Sequence, residues 1–392
     1  MTAGAQHWRV RIALVTDTYT PQVNGVTTVV VRIANALREF GHKVAIVAPR
    51  YPGFASLDPA QLRIPSTSFP PYPAIRLSLP QFNVVARFLD GFQPDVVHVA
   101  TEGPLGLTGR RYAMRRGIPL MTSYHTNFPQ YARHYRAGII EPLVWKWLRW
   151  FHRPAVLTQT PGEAVASELA RRGIGRPTVW GRGVDSEHFH PSRRSAGWRR
   201  WLAGGDDTAI ILHVGRLAPE KNIDVLAEAW TVARERVGQR ATFVIAGEGP
   251  ERRRLLAHLP WVRQLGFLDR DKLADVYASA DICVLPSRTE TCGLVALEAM
   301  ASGLVVVAAD AGGFRESIEH RRTGLLVAPD DATGFASEIL SLVIAPQRRA
   351  EISIAARAAA VARDVAPENL ALLKQYESAA GMAAAGAAPF AA

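Results

Sequence analysis

The sequence predicts an α/β protein built from two doubly wound domains, each a parallel sheet covered by helices on both faces. Three observations carry that expectation. Short apolar runs of strand length recur in both halves of the chain. Helical stretches separate them, and buried strands alternating with helices call for a parallel sheet with both faces covered. The alternation breaks once, near Trp180, and resumes near Thr208; at 392 residues there is room for two domains of ordinary size.

Taken in order, Arg11–Thr16 (RIALVT) reads as the first buried strand, and Asn24-Gly25 turns the chain into an amphipathic helix from Val26 to Phe40 that Gly41 ends. Lys43–Ala48, Asp95–Val99, Pro119–Tyr124 and Ala155–Thr160 repeat the strand type, which gives a first domain over 8–180. The polar, basic stretch 181–207 reads as an interdomain linker. Strands then recur at Ala209–Val214, Ala241–Ala246, Val262–Gly266, Asp281–Leu285, Leu304–Ala308 and Gly324–Val327, which gives a second domain over 208–363. Residues 364–377 read as a helix returning to the first domain, and 378–392, SAAGMAAAGAAPFAA, as a frayed and disordered tail.

Composition narrows the function classes. With 48% apolar and 21% charged residues, the chain is neither disordered nor fibrous. Two cysteines exclude a disulfide scaffold and a cysteine-based zinc cluster. Lys+Arg exceed Asp+Glu by 46 − 35 = 11, which favours anionic partners such as an acidic membrane surface or a phosphate-bearing substrate. Nucleic acid is not expected, because no recognition motif or aromatic-basic RNA signature is present. Met1–Val10 lacks the apolar core of a signal peptide, and no run reaches the ~18 apolar residues that span a bilayer. The expected compartment is the cytoplasm, with peripheral contact at the inner face of the membrane left open.

Open α/β sheets bind ligands beyond the carboxyl ends of their strands, so chemistry is sought in the loops that follow strands, facing a cleft between the domains. After Ala209–Val214, Gly215–Asn222 (GRLAPEKN) sets Arg216 and Lys221 around a tight turn at a helix start. Two cations beside free helix amides suit a di-anion. After Asp281–Leu285, Glu290 falls in a loop and Glu298 in a helix eight positions on. At ~1.5 Å rise per residue the carboxylates stand about 10–12 Å apart, a separation suited to two polyols. The amides of Gly293 and Leu294 lie between them, aimed at a diphosphate. Glu298 lies among Leu297, Ala299 and Met300 and needs a polar partner. Three decoys read otherwise. Asp269-Arg270-Asp271 has metal-site spacing, but Asp269 reads as a helix cap. Gly247-Glu248-Gly249-Pro250 lacks the full dinucleotide fingerprint. Cys283 and Cys292 read as a buried thiol and a loop thiol, with nothing to mark a nucleophile.

The stretches GRLAPEKN, AGEGPERRRL, LGFLDRDKLADVYASADICVLPS and ETCGLVALEAMASGLVVVAADAGG, in this order and spacing, resemble the retaining GT-B glycosyltransferases of the E-x7-E (family 4) type. The resemblance runs from Val10 to about Glu377. The stretches DTYTPQVNGVTTVV, VATEGPLG and SYHTNFPQYARHY look most like bacterial GDP-mannose-dependent α-mannosyltransferases and glycolipid glycosyltransferases. The resemblance implies two Rossmann-like domains, a retaining hexosyltransferase without metal or other cofactor, a nucleotide-diphosphate sugar as donor and a lipid or glycan as acceptor. Relatives using UDP-glucose, UDP-sulfoquinovose or UDP-N-acetylglucosamine supply an alternative donor. A nucleotide-sugar hydrolase, epimerase or sensor on the same fold supplies an alternative class.

Carried over by position, the resemblance makes His125, Arg216, Lys221 and Glu290 the catalytic candidates. Arg216 and Lys221 would grip the diphosphate, Glu290 the transferred sugar, Glu298 the ribose, and Gly266-Phe267-Leu268 the base, with Gly293 and Leu294 at the diphosphate. His125 would touch the sugar's 6-hydroxyl, and Gly25 belongs to a loop that approaches ligand. Asp17, Tyr19, Asn24, Asn127 and Tyr131 are acceptor-side candidates, and Arg182 would reach the donor. Thr291-Cys292 departs from the family's usual Gly-Phe. Last, Trp145, Trp147, Trp150 and Phe151 interleave with Lys146, Arg149 and Arg153. Such a stretch either lies on an anionic membrane or buries its tryptophans against the sheet. Arg133, His134 and Tyr135, just before it, are further candidates for an acceptor groove.

Overall fold

The computed structural model describes residues 9–384 except 23, 70–71, 80, 126–140, 181–182, 204–206 and 291. The chain divides into two compact units: Met1–Trp180 together with Asn369–Ala392, and Gly181–Glu368.

The first unit carries a seven-stranded parallel sheet in the order β3-β2-β1-β6-β7-β8-β9. Its strands are β1 (Arg11–Val15), β2 (Lys43–Pro49), β3 (Gln61–Ile64), β6 (Val96–Val99), β7 (Leu120–Ser123), β8 (Leu157–Thr160) and β9 (Pro177–Val179). The central strands are buried on both faces, which is why they read as unbroken apolar runs. A hairpin of β4 (Ser66–Phe69) and β5 (Tyr72–Ser78) stands apart. On one face, Val29, Val30, Ile33 and Leu37 of the helix Gly25–Glu39 join Leu372, Tyr376 and Ala379 of the last helix in one apolar core. The helices Phe82–Phe92 and Pro104–Arg116 cover the other face.

The last helix, Val365–Ala384, extends beyond the predicted 364–377 into the stretch expected to be a disordered tail. A buried polar chain fixes it. His98 Nδ1 lies 2.5 Å from Tyr376 Oη, and His98 Nε2 lies 2.7 Å from Ser123 Oγ. Gln159 Nε2 donates to Gln375 Oε1 at 2.8 Å, and Gln375 Nε2 donates to the carbonyl of Val179 at 3.0 Å. The alanines that looked like low complexity include Ala379, which is buried in the core.

The second unit carries a six-stranded parallel sheet in the order β12-β11-β10-β13-β14-β15. The strands are β10 (Ala209–Val214), β11 (Ala241–Ala246), β12 (Arg263–Gly266), β13 (Ile282–Leu285), β14 (Val305–Ala309) and β15 (Leu325–Val327). Trp230 and Phe335 anchor the core on one face, and Tyr277, Met300 and Phe314 anchor it on the other. The segment read as a linker contributes the helix Ala196–Ala203 to this unit. Its Arg199 is buried, ion-paired with Asp281 at 2.7 Å, and donates to the carbonyls of Ser279 and Thr208. A basic residue there is structural, which composition alone does not reveal. Among the described residues no helix is long and apolar enough to cross a membrane.

Candidate active site

In the second unit, β10 lies between β11 and β13, so the chain winds outward in both directions from that pair of strands. The crevice at the carboxyl ends of β10 and β13 is the topological switch point, where open α/β sheets bind ligands. The two loops carrying the candidate residues leave those two strands.

The loop after β10 is held by close backbone packing. Gly215 N–H donates to the carbonyl of Ala246, and Leu217 N–H donates to that of Glu248. A Cβ on Gly247 would stand 1.9 Å from the oxygen of Gly215, and one on Gly249 would stand 2.2 Å from that of Leu217. These glycines therefore serve to let the β11 loop lie against the Arg216 loop, and they form no dinucleotide fingerprint. A 3-10 turn, Pro219–Lys221, leads to Asn222 in the left-handed conformation and then to the helix Ile223–Val237. Asn222 Nδ2 donates to the Pro286 carbonyl at 3.2 Å and to Asp330 Oδ1 at 2.8 Å, so it ties the two loops together.

Within this frame Lys221 Nζ stands 2.7 Å from Glu290 Oε2, both side chains being mostly buried. The structure thus joins two candidates 69 positions apart. Arg216 pairs with Glu220, whose own carbonyl accepts from Ser287 Oγ and Thr289 Oγ1 of the second loop. Glu290 is fixed from behind as well. Its carbonyl accepts from Gly313 N–H at 2.8 Å, and a Cβ on Gly312 would stand 2.2 Å from that same oxygen. Asn222, Ser287, Thr289 and Gly312 hold the two candidate loops in place, and the sequence reading did not single them out. The signals were an asparagine just before a helix and a glycine pair after a strand.

Gly293, in the left-handed conformation, opens the helix Leu294–Ala301. Its carbonyl accepts from the Ala296 and Leu297 amides. The amides of Leu294 and Val295 belong to the first turn, which the helix itself leaves without acceptors. One turn on, Tyr277 Oη donates to Glu298 Oε2 at 3.5 Å, which supplies the polar partner this carboxylate needs. Burial pushes the Tyr277 hydroxyl far up its range, and the charges of Glu298 and Glu290 add to that shift. Burial, then Glu298, also pushes the Cys283 thiol up, away from thiolate chemistry. Cys292 is buried too. Gly266, left-handed, begins the turn at Phe267, which is exposed, and Leu268, which packs on the core. Asp269 accepts from Lys272 N–H at 2.9 Å and caps the helix Arg270–Ser279, as expected from its position.

His213, at the end of β10, is buried beside this loop. Its Nδ1 lies 2.8 Å from the Val284 carbonyl; a carbonyl only accepts, so Nδ1 carries the proton. Burial, with the charge of Lys221 adding to it, holds the imidazole down to about 4, so it is neutral at physiological pH.

In the first unit, β1 lies between β2 and β6, so the switch point falls at the loops after β1 and β6. Asp17 sits there, but its carboxylate is committed to structure. It accepts from Thr101 Oγ1 at 2.7 Å and from the Leu105 and Gly106 amides, capping the helix Pro104–Arg116. Asn24 caps the helix Gly25–Glu39 by accepting from Thr27 N–H, while its Nδ2 donates to Thr18 Oγ1. Tyr19 is buried, with the Arg63 guanidinium 5.0 Å from its ring centre. A Cβ on Gly25 would touch nothing within 4 Å, so packing gives no reason for a glycine there. His125 follows β7 and is half-buried. Asn127, Tyr131, Arg133, His134, Tyr135 and Arg182 lie outside the described residues.

Comparison with known proteins gives the family. The family described as Glycosyltransferase Family 4 matches residues 23–188, and Glycosyl transferases group 1 matches 208–344. A GDP-mannose-dependent alpha-mannosyltransferase of Mycobacterium tuberculosis is 36% identical over 381 residues, covering 95% of this chain and 97% of its own. A sulfoquinovosyl transferase of Arabidopsis thaliana is 34% identical over 82% of this chain and 64% of its own. Among solved structures, sucrose-phosphate synthase from Thermosynechococcus elongatus superposes with a TM-score of 0.77 over 94% of this chain and 99% of its own, at 20% identity, a likeness of fold. With two parallel α/β sheets and a GT-B-like fold, the chain belongs to the group 1, family 4 glycosyltransferases and is a nucleotide-sugar-dependent hexosyltransferase.

Proposed function

We propose that this enzyme transfers an α-mannosyl group from GDP-mannose to a lipid or glycan acceptor, with retention and without a metal ion. The observation that carries the site assignment is the Lys221–Glu290 contact at the β10/β13 switch point, beside the first turn of Leu294–Ala301. In this reading Lys221 and Arg216 neutralise the donor diphosphate, and the Leu294 and Val295 amides add partial positive charge. Glu290, oriented by Lys221 and by the Gly313 amide, accepts hydrogen bonds from hydroxyls of the transferred sugar. Glu298 takes the ribose hydroxyls, and the Gly266–Leu268 turn meets the base. Arg182 reaches the donor as well.

His125 binds the sugar's 6-hydroxyl. Gly25 allows close approach of the backbone, Tyr19, Asn127 and Tyr131 are the acceptor-side residues, and Asn24 caps the helix Gly25–Glu39. Asp17 acts there indirectly, by capping the helix Pro104–Arg116. In the reaction the bond from the anomeric carbon to the phosphate oxygen breaks as GDP leaves. The acceptor oxygen forms its bond on the same face, and its proton passes to the departing phosphate. Fixed cations and amides stabilise the charge that develops on that phosphate.

The choice of mannose rests on the near-full-length likeness to a GDP-mannose-dependent enzyme. The likeness to a sulfoquinovosyl transferase favours a second reading, a UDP-sugar donor. Thermal unfolding with GDP-mannose, UDP-glucose, UDP-N-acetylglucosamine and UDP-sulfoquinovose separates them. A donor at 100 times its Kd stabilises by ~2.7 kcal/mol, so the true donor raises the midpoint and the others do not. A shift with UDP-sugars alone would overturn the mannose assignment. GDP release without any acceptor would point to a hydrolase instead.

A further inference from the structure

The helix Glu141–His152 sorts its aromatic residues in a way the sequence left open. Trp145, Leu148, Phe151 and His152 face the protein. Leu143, Trp147 and Trp150 face solvent, 66%, 39% and 48% exposed. At about 100° per residue these three lie within ~60° of one another, and Lys146, Arg149 and Arg153 fill the adjoining ~60°. All three cations are exposed. Trp147 and Trp150 stack with ring centres 5.1 Å apart. Arg110 of the neighbouring helix lies 4.0 Å above Trp150 and donates to the carbonyls of Trp150 and Phe151. The stripe is therefore held rigid, and a fourth cation is fixed at its edge. Between this helix and Pro104–Arg116 there is a single acid, Glu141, and its carboxylate accepts from Trp145 Nε1 at 3.2 Å.

An apolar stripe of tryptophans beside a stripe of cations, with its one acid turned inward, matches the boundary of an anionic bilayer. Indoles settle at headgroup depth there, and cations meet lipid phosphates. We propose that this face of the first unit is a docking surface for an anionic lipid bilayer. Leu143, Trp147 and Trp150 enter the interface, and Arg110, Lys146, Arg149 and Arg153 lie against the headgroups. The proposal does not depend on the identity of the donor.

The test uses the full chain and vesicles of phosphatidylcholine alone or with about 30% phosphatidylglycerol, whose acidic headgroups set a negative surface potential. The protein should sediment with acidic vesicles, with a blue shift of tryptophan emission, and stay in solution with neutral ones. Each cation near such a surface contributes roughly fivefold in affinity. Lys146→Glu with Arg149→Glu should therefore weaken binding at least ~20-fold, and Trp147→Ser should diminish the blue shift, leaving the part due to Trp150. Urea unfolding of the variants checks that they fold, and the two act through different groups, so a failure of one to fold leaves the other as the test. Equal binding to neutral and acidic vesicles, or unchanged binding in both variants, overturns the proposal. Self-association that Trp147→Ser abolishes, without vesicle binding, would assign the face to a second copy instead.

Discussion

Replacing Gly312 with alanine tests whether the position of Glu290 controls catalysis. The added Cβ would meet the Glu290 carbonyl oxygen at 2.2 Å, and that oxygen must retreat by about 1.2 Å to reach an ordinary contact of 3.4 Å. The retreat pulls the carbonyl from the Gly313 amide, which now donates at 2.8 Å, a loss of ~1 kcal/mol. Gly312 also holds φ at +52°, which costs a Cβ-bearing residue ~1–2 kcal/mol. Unfolding of the second unit should therefore weaken by ~2–3 kcal/mol, a fall in Tm of roughly 4–12 °C. A displacement near 1 Å at a positioning residue reduces turnover by about 10²-fold. The assay pairs thermal unfolding with steady-state kcat/KM. Gly238→Ala is the control: Gly238 also holds a positive φ, +59°, but a Cβ there meets nothing within 4 Å. It should lose stability through strain alone and keep full activity. If Gly312→Ala keeps kcat/KM within about twofold of the parent, Glu290 does not need this placement and the site reading fails.

Lys221→Ala should lower kcat by about 10²–10³-fold, as expected for loss of a fixed charge at a leaving group, while the second unit loses some stability but stays folded; near-normal turnover would contradict the diphosphate assignment. His98 and His213 are held by burial at about 3 and about 4, whereas an unfolded histidine titrates near 6.5. Because the fold depresses these values, the stability they confer is complete above pH ~6.5 and falls as acid protonates the unfolded chain, by ~1.4 kcal/mol per histidine per pH unit. At pH 5 each unit should have lost ~2 kcal/mol, and denaturant titrations of His213→Gln should show a shallower decline for the second unit; a slope equal to the parent's would refute it. Tyr376→Phe removes the hydroxyl facing His98 Nδ1 and should destabilise the first unit by ~1–3 kcal/mol while sparing the second, which domain-resolved hydrogen exchange would separate.

Much of the architecture could be read directly from the residues, because a strand buried on both faces must be apolar throughout. Runs such as Ala209–Val214 and Ala241–Ala246 coincide with their strands end to end. The strands that escaped notice are edge or hairpin elements. Gln61–Ile64 and Pro177–Val179 are half-covered, so their composition is mixed and resembles loop. The helix Ala196–Ala203 escaped for another reason: Arg199 looks like solvent-facing charge until Asp281, more than eighty positions away, is known to lie beside it. The same limit applies at the site. The spacing of Glu290 and Glu298 was visible, but the contact of Lys221 with Glu290 depends on β10 and β13 being neighbours, a matter of strand order. For Asp17 and Asn24, capping and ligand binding demand the same side chains, and only the partners distinguish them.

The docking of the last helix on the amino-terminal sheet has a consequence for biosynthesis. Leu372, Tyr376 and Gln375 complete a lobe whose strands are made before those of the other lobe, yet they emerge after the whole of the other lobe has been made. That first lobe must wait, with one face of its sheet only partly covered, until the residues of this helix have been made. Loss of the helix Val365–Ala384 would therefore harm the lobe made first of the two, and leave the later-made lobe free to mature by itself.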